Sequence, residues 1–124
     1  VKSKFENGVP TSLNKQLFAD AYCKRGYSKA ELGRLKGATQ DFDKAIKIDP
    51  NCAIAYCFRG SALLRQRRFE EAIVDFDKAI LSNPKAVLLD PLTPVYSWKG
   101  KAYEALGNKR LAEINYEFAA LREV

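Results

Sequence analysis

Residues 21–50 read AYCKRGYSKAELGRLKGATQDFDKAIKIDP, and residues 55–84 read AYCFRGSALLRQRRFEEAIVDFDKAILSNP. Shifted by 34 places, Ala19–Cys52 falls on Ala53–Ala86 with 15 identities, among them the whole string DFDKAI at Asp41–Ile46 and Asp75–Ile80. A period of this length marks an array of small units, each leaning on its neighbours. Inside a unit the apolar spacing is helical. Ala38, Phe42, Ala45 and Ile46 stand at i, i+4, i+7 and i+8 and share one face. Ala19, Tyr22 and Gly26 repeat the signal in the first half of the unit. Gly33 and Gly107 are natural helix stops, Gln66–Arg68 fills that turn in the second unit, and Pro50 and Pro84 close the second helices. Each unit is therefore a pair of helices too small to bury its own apolar face. Stacking supplies the partner.

The third copy is looser. Gly100, Ala112 and Tyr116 lie 40 residues after Gly60, Ala72 and Phe76, six more than the period. The stretch Lys85–Pro94 holds the extra residues, and its Pro91 and Pro94 predict extended or turn-like backbone. The expected organisation is a mobile tail over residues 1–11, broken by Gly8 and Pro10, followed by a single domain over 12–124. Its units are 19–52, 53–86 and 93–124, with an insertion at about 87–92. Ser12 is placed to cap a helix starting near Leu13, which runs through Leu17 and Ala21 into the first unit.

Composition narrows the function. Of 124 residues, 47% are apolar and 29% charged, which suits a folded domain, and no apolar run is long enough to cross a bilayer. The net charge of +6 favours solubility and weak attraction to acidic partners. Histidine is absent, which removes the commonest general base and metal ligand. Cys23, Cys52 and Cys57 are odd in number and lack metal-ligand spacing, so free thiols, no metal and a cytoplasmic location are expected. Cys23 and Cys57 occupy equivalent places on helices about 8–10 Å apart, too far for a disulfide. The chain starts at Val1 and has no Met, so the natural start is expected to be missing. No phosphate-cradling loop or catalytic triad is present; neither a cofactor nor catalysis is expected.

The units resemble the tetratricopeptide repeat family. The residues that carry the resemblance are Tyr22, Gly26, Ala38, Phe42, Ala45 and Pro50, then Tyr56, Gly60, Ala72, Phe76, Ala79 and Pro84. The third unit supplies Tyr96, Gly100, Ala112, Tyr116 and Ala119 without a closing proline. The resemblance implies an all-α fold, a right-handed superhelical solenoid of antiparallel helix pairs. It also implies a protein-interaction scaffold whose concave groove, lined by the first helices, binds a peptide or protein surface.

One departure stands out. The family usually has leucine before the first glycine, where this chain has Arg25, Arg59 and Lys99; Asp41, Asp75 and Asn115 fill one place on the second helices. Partly buried pairs of Arg25 with Asp41 and Arg59 with Asp75 are expected, within or between units, against the alternative of arginines snorkelling into solvent. As candidates for catalysis, Asp41, Asp43, Asp75 and Asp77 lie on repeated helix surfaces and read as solvated charge.

By resemblance the groove holds Asp20, Cys23, Tyr27, Ile54, Cys57, Phe58, Ser61, Leu64, Ser97, Trp98, Lys101 and Glu104. The best-known groove of the family grips a chaperone's C-terminal carboxylate with lysine, asparagine and arginine. Here the matching places hold Cys23, Tyr27, Phe58, Pro94 and Trp98. An apolar, aromatic groove is therefore expected, taking a partner helix or peptide with apolar anchors. A basic edge of Arg34, Lys36, Arg65, Arg67, Arg68, Lys109 and Arg110 is the alternative site, for an acidic ligand or RNA, although solvated charge is the preferred reading and nucleic acid the lesser partner. Ile114, Phe118 and Leu121 form an extra apolar stripe on the last helix. A partner, a second copy, further repeats of a longer protein or the N-terminal segment is expected to cover it.

Overall fold

The computed structural model describes backbone for residues 5–6, 9–90 and 93–122, and side chains for 13–90 and 93–121. Two short strands, β1 (Phe5–Glu6) and β2 (Val9–Pro10), pair antiparallel, with Phe5 opposite Pro10 and Glu6 opposite Val9. These pairs fall inside the segment expected to be a mobile tail. Among the described residues seven helices follow: α1 (Thr11–Glu31), α2 (Leu35–Ile48), α3 (Ala53–Arg65), α4 (Phe69–Ser82), α5 (Pro84–Leu88), α6 (Val95–Ala105) and α7 (Lys109–Arg122). The first helix is 21 residues long because the extension through Leu13 and Leu17 joins the first unit without a break. The cap expected at Ser12 and the part played by Pro91 lie outside the described side chains.

Helices α1 and α2, α3 and α4, and α6 and α7 form antiparallel pairs, and each pair packs on the next through α2 against α3 and α4 against α6. The result is the right-handed superhelical solenoid. Close approach within a pair needs a missing side chain. A Cβ on Gly60 would stand 2.7 Å from Phe76 Cε1, and one on Gly26 would stand 2.8 Å from Phe42 Cε1. Phe42 and Phe76 are fully buried in that space. Gly100 meets Tyr116 in the same way, so the three glycines hold equivalent places.

The turns inside units are also equivalent. Gly33, Arg67 and Gly107 all take left-handed backbone, with φ of 80°, 63° and 82°. That conformation lets the next amide reach back: Arg34 N–H donates to Lys29 O at 2.8 Å, Arg68 to Leu63 at 2.9 Å and Asn108 to Tyr103 at 2.9 Å. Arg67 does this without glycine's freedom.

The insertion is tied down. Asn83 Oδ1 caps α5 by accepting the Ala86 N–H at 3.1 Å, with Pro84 at the first helical position. Val87, Thr93 and Val95 are fully buried, and the Thr93 hydroxyl lies 2.5 Å from Val87 O. The expected extended stretch thus opens with a short helix that fills the core between the second and third units.

Charged pairs link the helices. Arg25 donates to Asp41 at 2.8 and 2.7 Å, and Arg59 donates to Asp75 at 2.7 and 2.8 Å, each pair bidentate and within a unit. Arg59 also donates to Asp43 of the preceding unit at 2.9 Å, and Lys99 meets Asp77 of its preceding unit at 2.7 Å. Asp41 and Asp75 are buried, which corrects their reading as solvated charge. The Arg25 hydrogen bonds hold Asp41 below the ordinary carboxylate range, against the opposing effect of burial, with Lys29 helping at 3.1 Å.

Candidate functional site

The first helices of the first two units face a common hollow of about 570 Å³. Asp20, Cys23, Lys24 and Tyr27 come from α1, spaced so that one side of the helix is presented. Ala53, Ile54 and Phe58 come from α3, and Asp49, Asn51 and Cys52 from the loop before it. Asn83 and Ala86 close the far side. A smaller hollow of about 120 Å³ continues along the stack between Tyr27, Phe58, Ser61, Arg65 and Trp98, with Phe42 behind.

Aromatic rings fix the shape where the two hollows meet. Tyr27 stands edge-on to Phe58 with centroids 5.2 Å apart, and Phe58 stacks on the buried Phe42 at 6.1 Å. Trp98 stacks on Phe76 at 5.8 Å. Tyr27 is 36% exposed, whereas Phe58 and Trp98 are half-buried. The rings are held from behind and open in front, which limits the entropy lost when a ligand binds.

The structure brings Cys23, Tyr27, Ile54 and Phe58 to the larger hollow, and Ser61 and Trp98 with Tyr27 and Phe58 to the smaller. Five expected residues differ. Cys57 is fully buried, because it shares the inward stripe of Ala53 and Gly60 and packs with Phe76 and Val95. Leu64 continues that stripe and packs against the same core. Ser97, Lys101 and Glu104 of α6 line neither hollow, and Glu104 instead accepts the Tyr116 hydroxyl at 2.7 Å. Asn51, Cys52, Asn83 and Ala86 were missed. They belong to connections after Pro50 and Ser82 that bend across the first-helix face, and a reading confined to helix faces passes over them.

All three cysteines are free thiols as expected, and Cys23 hydrogen-bonds to Cys52, which stands at the N-cap of α3. The hydrogen bond from Cys23 and the Ala55 N–H draw Cys52 down to about 7, against burial and the nearby Asp49 and Asp20 carboxylates. Cys23 is pushed well up by the same bond and by burial.

All seven basic-edge residues are exposed. Arg65 donates to Ala30 O at 2.9 Å, Arg68 pairs with Glu71, and the Arg67 guanidinium lies 5.6 Å from the Phe69 ring centre. On α7, Ile114 is half-buried while Phe118 and Leu121 are exposed. Phe118 lies 5.3 Å from Tyr96, the place where Lys44 covers Tyr22 at 5.6 Å and Lys78 covers Tyr56 at 5.8 Å. Phe118 therefore lies over its own unit's first helix. The side on which Asp43 and Asp77 meet the next unit carries Glu117 instead, which is exposed.

Among the described residues no cluster of three or more His, Cys, Asp or Glu could hold a metal ion, and no helix is long and apolar enough to cross a membrane. Residues 19–52 and 53–86, more than half of the chain, each match the tetratricopeptide repeat pattern. The chain belongs to the tetratricopeptide repeat family. Solved tetratricopeptide domains superpose over most of its length. The Arabidopsis OM64 domain is 25% identical, with a TM-score of 0.79 covering 88% of this chain and 85% of that one. The second domain of Spaghetti (RPAP3), bound to the HSP90 peptide SRMEEVD, is 25% identical, with a TM-score of 0.78 covering 90% and 96%. The second domain of human RPAP3, in complex with the HSP70 peptide SGPTIEEVD, is 24% identical, with a TM-score of 0.76 covering 88% and 86%. No curated protein matches this tetratricopeptide chain by sequence.

Proposed function

We propose that this tetratricopeptide domain is a protein-interaction scaffold that holds a partner peptide or helix by an apolar anchor seated between Tyr27 and Phe58. The observation that carries the reading is that ring pair: an exposed tyrosine set edge-on to a phenylalanine that is itself braced by Phe42. Rigid aromatic surface at the centre of a concave site is where binding energy concentrates.

The RPAP3 domains are bound to peptides ending in EEVD. An acidic tail of that kind suits this groove poorly. Cys23, Tyr27, Phe58, Pro94 and Trp98 stand where a carboxylate clamp would need donors. Asp20 and Asp49 line the larger hollow with Lys24 as the basic residue there, so the local field does not favour a carboxylate. The partner chemistry supported is an apolar or aromatic side chain flanked by neutral or basic residues.

Selecting peptides from a displayed library against the intact chain, then measuring affinity by fluorescence anisotropy, tests this. Tyr27→Ala is expected to weaken the selected peptide about tenfold, roughly 1.4 kcal/mol, with thermal stability unchanged. Trp98→Ala is a poorer probe, because Trp98 also packs on Phe76. An EEVD-ended peptide that binds as tightly as any selected one would overturn the reading. The basic edge is the second reading, favoured by seven exposed cations. RNA affinity that falls steeply with salt would support it instead.

A further inference from the structure

Two sulfur atoms meet in the wall of the larger hollow. Cys52 is the N-cap residue of α3, so its sulfur sits at a helix N-terminus, where the aligned backbone amides favour negative charge. Cys23, one unit earlier on α1, reaches across and bonds to it. Both line the open hollow, and Cys52 is the more accessible of the two. Cys57 is sealed in the core. Asp20 and Lys24 on α1 and Asp49 in the preceding loop are the charged groups facing this place. A thiol that is accessible and favoured as thiolate, touching a second thiol, has the arrangement of a reactive cysteine with its resolving partner.

We propose that Cys52 and Cys23 form a peroxide-oxidisable dithiol in the groove wall, with Cys52 reacting first and Cys23 resolving it to a disulfide. The Cys52 thiolate attacks one oxygen of hydrogen peroxide, the O–O bond breaks, and the departing hydroxide takes a proton to become water. Cys52 is then a sulfenic acid. The Cys23 sulfur attacks the Cys52 sulfur, loses its proton, and the S–O bond breaks to release a second water. In sum, two thiols and one peroxide give one disulfide and two waters. The bond ties the first helix of one unit to the start of the first helix of the next. It does not depend on what fills the groove.

Treating the intact chain with hydrogen peroxide and mapping its peptides by mass spectrometry tests the proposal. The expected product is an intramolecular Cys23–Cys52 peptide lighter by two hydrogens, with Cys57 still a thiol. In Cys23→Ser, the sulfenic acid on Cys52 should persist and be trapped by a cyclic diketone reagent. In Cys52→Ser, Cys23 should react at least tenfold more slowly than Cys52 does in Cys23→Ser. Circular dichroism of both variants confirms that they fold. Cross-links that contain Cys57, disulfides formed only between chains, or equal trapping at Cys23 and Cys52 would overturn it.

Discussion

At the boundary between the first and second units, one arginine holds two aspartates; at the next boundary, one lysine holds one. Arg59 grips Asp75 within its unit through two nitrogens and reaches Asp43 of the preceding unit with the third. Lys99 carries a single ammonium and spends it on Asp77 across the boundary. The place equivalent to Asp75 is then Asn115, whose amide turns back to donate to Leu111 O at 2.8 Å. A planar fork can satisfy two carboxylates in fixed directions, whereas a point charge cannot. Replacing arginine with lysine therefore goes with removing the buried carboxylate that lysine would leave half-satisfied. The bond between units survives the six-residue insertion. The bond within the unit does not.

Breaking the arginine node should have the largest effect. Asp75→Ala leaves the inner face of Arg59 without its acceptor and is expected to cost about 3 kcal/mol, whereas Asp77→Ala, which removes a half-exposed carboxylate, should cost about 1 kcal/mol. Urea unfolding followed by circular dichroism measures both, and equal losses would break the comparison. Gly60→Ala comes next. The added methyl meets the fully buried Phe76 ring at 2.7 Å, which should cost about 1–3 kcal/mol. Gly100→Ala should cost less, because Tyr116 is only half-buried and its ring has room to give.

Acid sharpens the same picture at the first unit. Arg25 and Lys29 hold the Asp41 carboxyl below its ordinary value, so that pairing contributes stability above about pH 4 and loses it as pH falls through the depressed value. Asp41→Asn should therefore lower stability at neutral pH and flatten its decline in acid, as read from thermal unfolding over a pH series. The smallest effect expected is a gain. Arg67 occupies the left-handed turn that Gly33 and Gly107 fill elsewhere, so Arg67→Gly should stabilise the chain by about 0.5–1 kcal/mol.

How much of this was legible follows from what repeats. The helix pairs and the glycine–aromatic contacts recur at a fixed spacing, and Arg25 with Asp41, Arg59 with Asp75 and Lys99 with Asn115 change together within one sequence. Their partnership could be read before any coordinates. The links between units could not. Asp43 and Asp77 look like solvated charge until the tilt of one pair on the next brings Arg59 and Lys99 to them. The groove was legible where it is made of helix faces, as at Tyr27 and Phe58. It was not where loops cross those faces, as at Cys52 and Asn83, since loop paths depend on how units tilt. Cys57 shows the limit of face-reading itself. It directly precedes Phe58, yet one step along a helix turns a side chain from the open groove into the core.

The central claim is that the aromatic floor between the first two units is where a partner binds. Chemical-shift mapping of the selected peptide on the isotopically labelled intact chain tests it most directly. The account predicts that the largest shifts fall on Tyr27, Ile54, Phe58 and Trp98 and vanish with Tyr27→Ala. Shifts gathered instead on Arg34, Lys36, Lys109 and Arg110 would contradict it and move the binding surface to the basic edge.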